Sequence, residues 1–436
     1  MKKFFLSITC ILALAACMDK TENAIVIDDD IDHFWQAYDK IIATNDSTLQ
    51  YQLLNELFIE KGTPGLKAFM ERRSYTPASY INAINNYPLF WSSIRANTLK
   101  SKAYGQDIAF EIKKLKQLYP DLKPAKIYFT IGALMSNGTT MDSLVLIGAE
   151  SAMADSATVT EELPGRLGEN LRKYFDSNPI QHVVLLNVHE YVHTQQNTYG
   201  YDLLSQSLFE GVAEFVSVTA AGKPSSTPSV HYGKNNEGRV KERFAKEMFS
   251  PDWSNWLYNN FDNEFKMRDL GYYIGYALCE KYYEAAPDKK QAIKRLIELD
   301  FGNRAVIESF VEETGYFGKS ISALNAEYEQ GVPKVIGIKP FNNGDQKVPP
   351  GLTQVTITFS TKMDTRFRGF DYGPLGEDHV LSVKNVIGFS ADETAITIEV
   401  EPKPNQRYQV FLTDRFKSID GLFLQPYLID IRTGEK

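Results

Sequence analysis

With 436 residues, 43% of them hydrophobic, the chain can bury a large core, and its length suits two or three domains. A formal charge of −8 and the absence of any basic run exclude the electrostatic footprint of a nucleic-acid binder. The three cysteines, Cys10, Cys17 and Cys279, are too few for a disulfide framework, so stability has to come from packing.

At the N-terminus, Lys2 and Lys3 precede an apolar run from Phe4 to Ala13, the length of a secretory leader rather than of a spanning helix. Leu14-Ala15-Ala16-Cys17 resembles the bacterial lipobox, whose cysteine is acylated and becomes the mature N-terminus. The resemblance implies a signal peptide over residues 1–16, a lipid on Cys17 and a place in the bacterial cell envelope, with acyl chains as the membrane anchor. An ordinary signal peptide with an incidental cysteine is the alternative. Loss of Lys2 and Lys3 takes the charge to −10, since residues 1–16 hold no acid. Cys279 lies in an apolar helical pattern and reads as a buried small hydrophobe rather than a nucleophile.

Residues 17–30 are polar, then acidic at Asp28-Asp29-Asp30, and read as a tether. A helical region is expected over 31–120, where Phe34, Tyr38, Ile41 and Ile42, then Leu53, Leu54, Leu57 and Phe58, recur at helix spacing. The next segment, 121–330, opens with two strands, Ile127–Ile131 and Leu144–Gly148, around turn chemistry at Ser136–Thr140, and is helical from Pro179 onward. The last segment, 334–436, alternates polar and apolar residues at Gln354–Phe359 and Thr394–Val400, with further strands at Tyr408–Leu412 and Tyr427–Ile431. Short strands at this spacing predict an all-β sandwich. The stretch from Ile338-Lys339-Pro340 to Lys362-Met363-Asp364 resembles the bacterial Ig-like modules of surface proteins, which implies a contact with protein or glycan there.

The segment His189-Glu190-Tyr191-Val192-His193 carries the chemistry. A helix is expected from the Asp176-Ser177-Asn178 caps and Pro179 onward, and residues four apart share a helical face, so both imidazoles can reach one ion. Glu190 is placed to deprotonate a water activated by that ion. Five residues with three fixed also arise by chance, so the motif needs a third ligand. Glu210, in Leu208-Phe209-Glu210-Gly211-Val212-Ala213-Glu214-Phe215, follows His193 by 17 positions, which leaves room for a loop and a returning helix. Glu214, one turn further on the same face, reads as an acceptor for a ligand imidazole N–H and as the fallback third ligand.

HEYVH followed by FEGVAEF resembles the gluzincins, the metallopeptidases related to thermolysin and the zinc aminopeptidases, and in particular the zinc-dependent proteases found among bacterial lipoproteins. Over roughly residues 120–300 the resemblance implies an α+β zincin-like core, one zinc ion per chain on His189, His193 and Glu210, and a peptide or protein substrate. It also implies an edge strand that pairs with extended substrate, here Leu144–Gly148. The spacing from His193 to Glu210 is slightly shorter than in the best-known members. Aminopeptidase-type members place an oxyanion donor in a Y-x-x-G context, which matches Tyr272-Tyr273-Ile274-Gly275 and makes Tyr272 the donor. Aromatic packing is the other account of that run, and His231 in the loop Ser229–Gly233 is the rival donor. His182 reads as a core or interface histidine, and His33 and His379 fall outside the peptidase segment.

Two functional classes follow. One is a lipid-anchored zinc metallopeptidase. The other is a catalytically inactive surface binding or adhesion lipoprotein that keeps a zinc site and an Ig-like module.

Overall fold

The computed structural model describes residues 25–435. The expected signal peptide over 1–16 and the lipidated Cys17 lie outside the described residues. The chain is a multidomain mixture of helices and small sheets that divides into two compact units. One unit takes the residues up to Asn197 together with Val212–Ser226 and Tyr283–Leu299. The other takes Thr198–Gly211, Thr227–Tyr282 and everything from Asp300 on.

The first unit opens with a short strand, β1 (Val26–Ile27), and six helices: α1 (Asp29–Ile41), α2 (Ser47–Leu54), α3 (Pro64–Arg73), α4 (Pro77–Asn86), α5 (Pro88–Thr98) and α6 (Ser101–Leu118). Proline opens α3, α4 and α5, where its missing N–H costs nothing, and threonine caps two of them. Thr63 accepts from the Leu66 N–H, and Thr76 forms a reciprocal box with Ser79. Phe34, Phe58 and Trp91 meet beneath this layer, with Phe34 centred 5.4 Å from Phe58 and 4.9 Å from Trp91.

Residues 26–30, assigned to the tether, belong to the fold instead. Val26 and Ile27 pair with β2 (Lys126–Thr130), and buried Asp30 accepts from the Thr63 N–H at 2.9 Å and hydroxyl at 2.6 Å. The acidic run read as a tether because the partners that satisfy Asp30 lie 33 residues away.

β2 is followed by β3 (Gly138–Met141) and β4 (Leu144–Gly148), in the sheet order β1-β2-β4-β3. β2 runs parallel to β1 and β4, and β3 returns antiparallel to β4. Two expectations change here. Residues 138–141, read as turn chemistry, form a strand, and the actual turn is Asp142-Ser143 with Asp142 left-handed at φ 51°. Leu144–Gly148 is an interior strand, so the edge belongs to Gly138–Met141. Threonines and a glycine hid this strand, since its pairing partner, not its composition, makes it one.

Three helices complete the run to residue 197: α7 (Ala149–Ala152), α8 (Gly165–Phe175) and α9 (Val183–His193), the last entered through a 3₁₀ turn at Pro179–His182. Asn178 does not cap that turn. It adopts a left-handed backbone at φ 53°, and its side chain accepts from the Ser156 N–H instead. α10 (Leu203–Ala221) begins in the second unit and ends in the first.

The second unit contains α11 (Pro228–Asn235), α12 (Glu237–Glu247) and most of α13 (Leu270–Ala285). α14 (Lys289–Ile297) belongs to the first unit, while α15 (Arg304–Thr314) and α16 (Ile321–Gly331) return to the second. α10 and α13 approach within backbone contact: a Cβ on Gly275 would stand 1.9 Å from the Ser207 carbonyl oxygen. The unit ends in seven strands: β5 (Val335–Lys339), β6 (Gln354–Phe359), β7 (Phe370–Asp371), β8 (Asn385–Phe389), β9 (Ala395–Glu399), β10 (Arg407–Leu412) and β11 (Tyr427–Arg432). They form a four-stranded sheet, β5-β6-β9-β8, and a three-stranded sheet, β11-β10-β7. Val355, Ile357, Ile396 and Ile398 of one sheet share a core with Val410, Leu412, Ile429 and Ile431 of the other, as the alternation in β6 and β9 requires. Among the described residues no helix is long and apolar enough to cross a membrane.

Candidate metal centre

α9 is held in place by its apolar face, with Val183, Val188 and Val192 fully buried, and by Tyr191, whose hydroxyl accepts from the Ala125 N–H at 2.8 Å. Four-residue spacing then stacks His189 over His193. Their Nε2 atoms lie 3.1 Å apart. Each Nδ1 already has an acceptor: Glu214 Oε2 at 3.2 Å from His189, and Gln196 Oε1 at 2.6 Å from His193. An oxygen partner at each Nδ1 favours the tautomer that leaves Nε2 as the metal donor, and the two Nε2 atoms face each other. They can share a cation, and two tetrahedral zinc ligands at their usual bond length stand about 3.3 Å apart.

α10 supplies the carboxylates. Its first turn is fixed by buried Asp202, which accepts from the Ser205 N–H at 2.8 Å and hydroxyl at 2.6 Å. Leu208, Val212, Ala213 and Val216 bury its inner face, which places Glu210 and Glu214 one turn apart. One ligand atom each from His189, His193 and Glu210 lie within 4.8 Å of one another, with His189 and Glu210 buried and His193 half-buried. Among the described residues this is the one group of histidine, cysteine or carboxylate side chains able to hold a metal ion, and its donor set fits one. Glu214, the fallback ligand, is turned to His189 Nδ1 and also accepts from the Ser225 hydroxyl.

Glu190, between the two histidines, is buried against the edge strand. A Cβ on Gly138 would stand 2.7 Å from its Oε1, so a side chain there would press on that carboxylate where it now lies. Asn137 accepts across the hairpin from the Gly148 N–H, which turns the next residue's backbone groups outward from the sheet. The Gly138 carbonyl accordingly accepts from the Ser136 hydroxyl at 2.9 Å and from Arg73 at 3.3 Å.

Two tyrosines of the second unit stand on Glu210. Tyr258 donates its hydroxyl to Glu210 Oε1 at 2.5 Å and accepts from Gln206 at 2.8 Å. Tyr272, near the start of α13, also hydrogen-bonds Glu210. Burial first, and the Glu210 charge second, push both phenols well above their ordinary value, so both remain proton donors. His231 lies on the exposed face of α11 rather than in a loop, beside Asn235. His182 closes the 3₁₀ turn, and burial lowers its pKa. His33 and His379 stand apart from the metal-capable group. Gln196, Ser225, Tyr258 and Gly138 were not legible as site residues. Gln196, three positions after His193 and just past the end of α9, is the one whose spacing carried a signal.

No family model matches the chain, and no curated protein matches it. Solved structures of one protein do: the N-terminal part of the bacterial S-layer protein SbsC, at 12% identity over 93% of this chain and 69% of that one. Two longer structures, rSbsC(31-844) and SbsC domains 1–6, match at 11% identity over 93% of this chain and 45% of theirs. All three have a TM-score of 0.19, at which the likeness says nothing of fold or function.

Proposed function

We propose that this chain is a zinc-dependent peptidase of the bacterial cell envelope, held to the membrane by a lipid on Cys17. The observation that carries the reading is the group His189, His193 and Glu210, one ligand atom of each within 4.8 Å of the others, with the two Nε2 atoms 3.1 Å apart. His189, His193 and Glu210 would hold one zinc ion, which when bound would supply the Lewis acidity that activates a water near neutral pH. Glu190 takes the proton from the attacking water and returns it to the leaving amine. Tyr272 turns its hydroxyl from Glu210 to the carbonyl oxygen as that oxygen gains charge. The edge strand β3, rather than Leu144–Gly148, aligns an extended peptide beside Glu190. In this reading residues 121–330 form a zincin-like core and residues 334–436 an Ig-like module that docks on protein or glycan.

The test is elemental analysis of the chain from Met18 beside its His193→Ala variant. One zinc per chain, lost in the variant, supports the centre and opens a search among peptide substrates. Zinc absent, or unaffected by the substitution, overturns the peptidase reading and leaves a surface binding protein.

A further inference from the structure

The geometry points to Tyr258 as a positioning residue that restricts Glu210 to a single ligand oxygen. The inference rests on the zinc-peptidase reading above. Its basis is the direction of one proton. Gln206 lies on α10 one turn before Glu210. Its amide oxygen accepts from the Gly200 N–H at 3.1 Å, and its NH₂ donates to the Tyr258 hydroxyl at 2.8 Å. A phenol has one proton to give, and with Gln206 donating into its oxygen that proton goes to Glu210 Oε1, at 2.5 Å.

The side chain is not there by accident of a loose loop. Trp256 and Leu257, immediately before it, are buried, and Trp256 donates its indole N–H to Glu247 at 2.8 Å. Asn259, immediately after it, accepts from the Asp269 N–H at 2.7 Å. Between these anchors Tyr258 itself takes a left-handed backbone, φ 54°, a conformation that is uncommon for a bulky residue and persists where the surroundings impose it. More than half of its surface is exposed, yet its hydroxyl end reaches a buried glutamine and a buried carboxylate.

A carboxylate with one oxygen committed to a short charge-assisted hydrogen bond offers a metal its other oxygen. Single-oxygen ligation by Glu210 gives three protein donors and leaves a place for water, as a catalytic site requires. A Glu210 that closed with both oxygens would crowd that place.

The experiment uses cobalt(II), whose visible absorption reports coordination number, loaded into the metal-free chain from Met18 and into its Tyr258→Phe and Gln206→Met variants. In Tyr258→Phe the molar absorptivity is expected to fall severalfold as coordination expands, and peptidase kcat to fall roughly 10- to 100-fold with KM little changed. Gln206→Met keeps the ring and withdraws only the amide donor, so it should move both readouts the same way by less. Cobalt spectra of either folded variant identical to the parent overturn the role of Tyr258. A parent that takes up no cobalt overturns the metal centre itself, a different failure.

Discussion

Gly138 lies against the carboxylate of Glu190, so closely that a methyl group in place of its Hα would stand 2.7 Å from Oε1. No Cβ sits that near a heavy atom without something moving, and the Glu190 carboxylate, the far end of a flexible side chain, is the group it would press on. Gly138→Ala should therefore lower turnover about tenfold or more by displacing the base, while zinc content stays at one per chain. Unchanged kcat would mean that Glu190 has another working position.

Glu190→Gln keeps the shape of the side chain and removes its basicity. Hydrolysis should fall by about 10²- to 10⁴-fold with metal content intact, since the ligands on α9 and α10 are untouched. Full activity in that variant would take the proton-transfer role away from Glu190.

Glu214 Oε2 lies 3.2 Å from His189 Nδ1 and favours a proton on that nitrogen. In Glu214→Gln the amide can present its NH₂ to that nitrogen and favour the wrong tautomer. Zinc affinity, read by competition with a chromophoric chelator, should weaken roughly 10- to 100-fold.

Burial lifts the Glu150 carboxyl to about 7 from its ordinary 4.5, against the N–H groups of Gly132 and Leu134 that donate to it at 3.0 and 3.2 Å. The folded chain then binds this proton more tightly than the unfolded chain does. The group's contribution to stability is complete below pH 4.5 and is lost as pH rises to about 7, by roughly 3 kcal/mol. Denaturant unfolding between pH 4.5 and 8 should show this decline, and Glu150→Gln should flatten it.

The crossing of α10 and α13 offers a test of packing alone. A Cβ on Gly275 meets the Ser207 carbonyl at 1.9 Å, and one on Gly211 meets the Gly275 backbone at 2.2 Å. Backbone cannot step aside as a flexible side chain can, so Gly275→Ala should cost about 3 kcal/mol in thermal unfolding.

What could be read from the residues and what could not separates by the range of the interaction. The strands at 354–359, 395–399, 407–412 and 427–432 follow from period-two alternation, and the helix bearing His189 and His193 follows from its apolar face. β1, β3, β5, β7 and β8 are short or mixed in character and exist because a partner strand is there to receive them. The metal-capable group was visible because its spacing is local to two helices. Tyr258 and Gly138 were invisible for the opposite reason: they reach Glu210 and Glu190 across 48 and 52 positions. No local rule in a sequence registers a hydroxyl's direction or the room left by a missing methyl.

The pairing of Val26 and Ile27 with β2 has a mechanical side. Chain at full stretch spans at most about 3.5 Å per residue. A lipid on Cys17, as proposed, would leave only the eight residues 18–25 as leash, with a reach of roughly 28 Å at the very most. That is about the thickness of a bilayer's own hydrocarbon core, so the unit that carries α9 would work close to the membrane surface, on what lies there or is brought there.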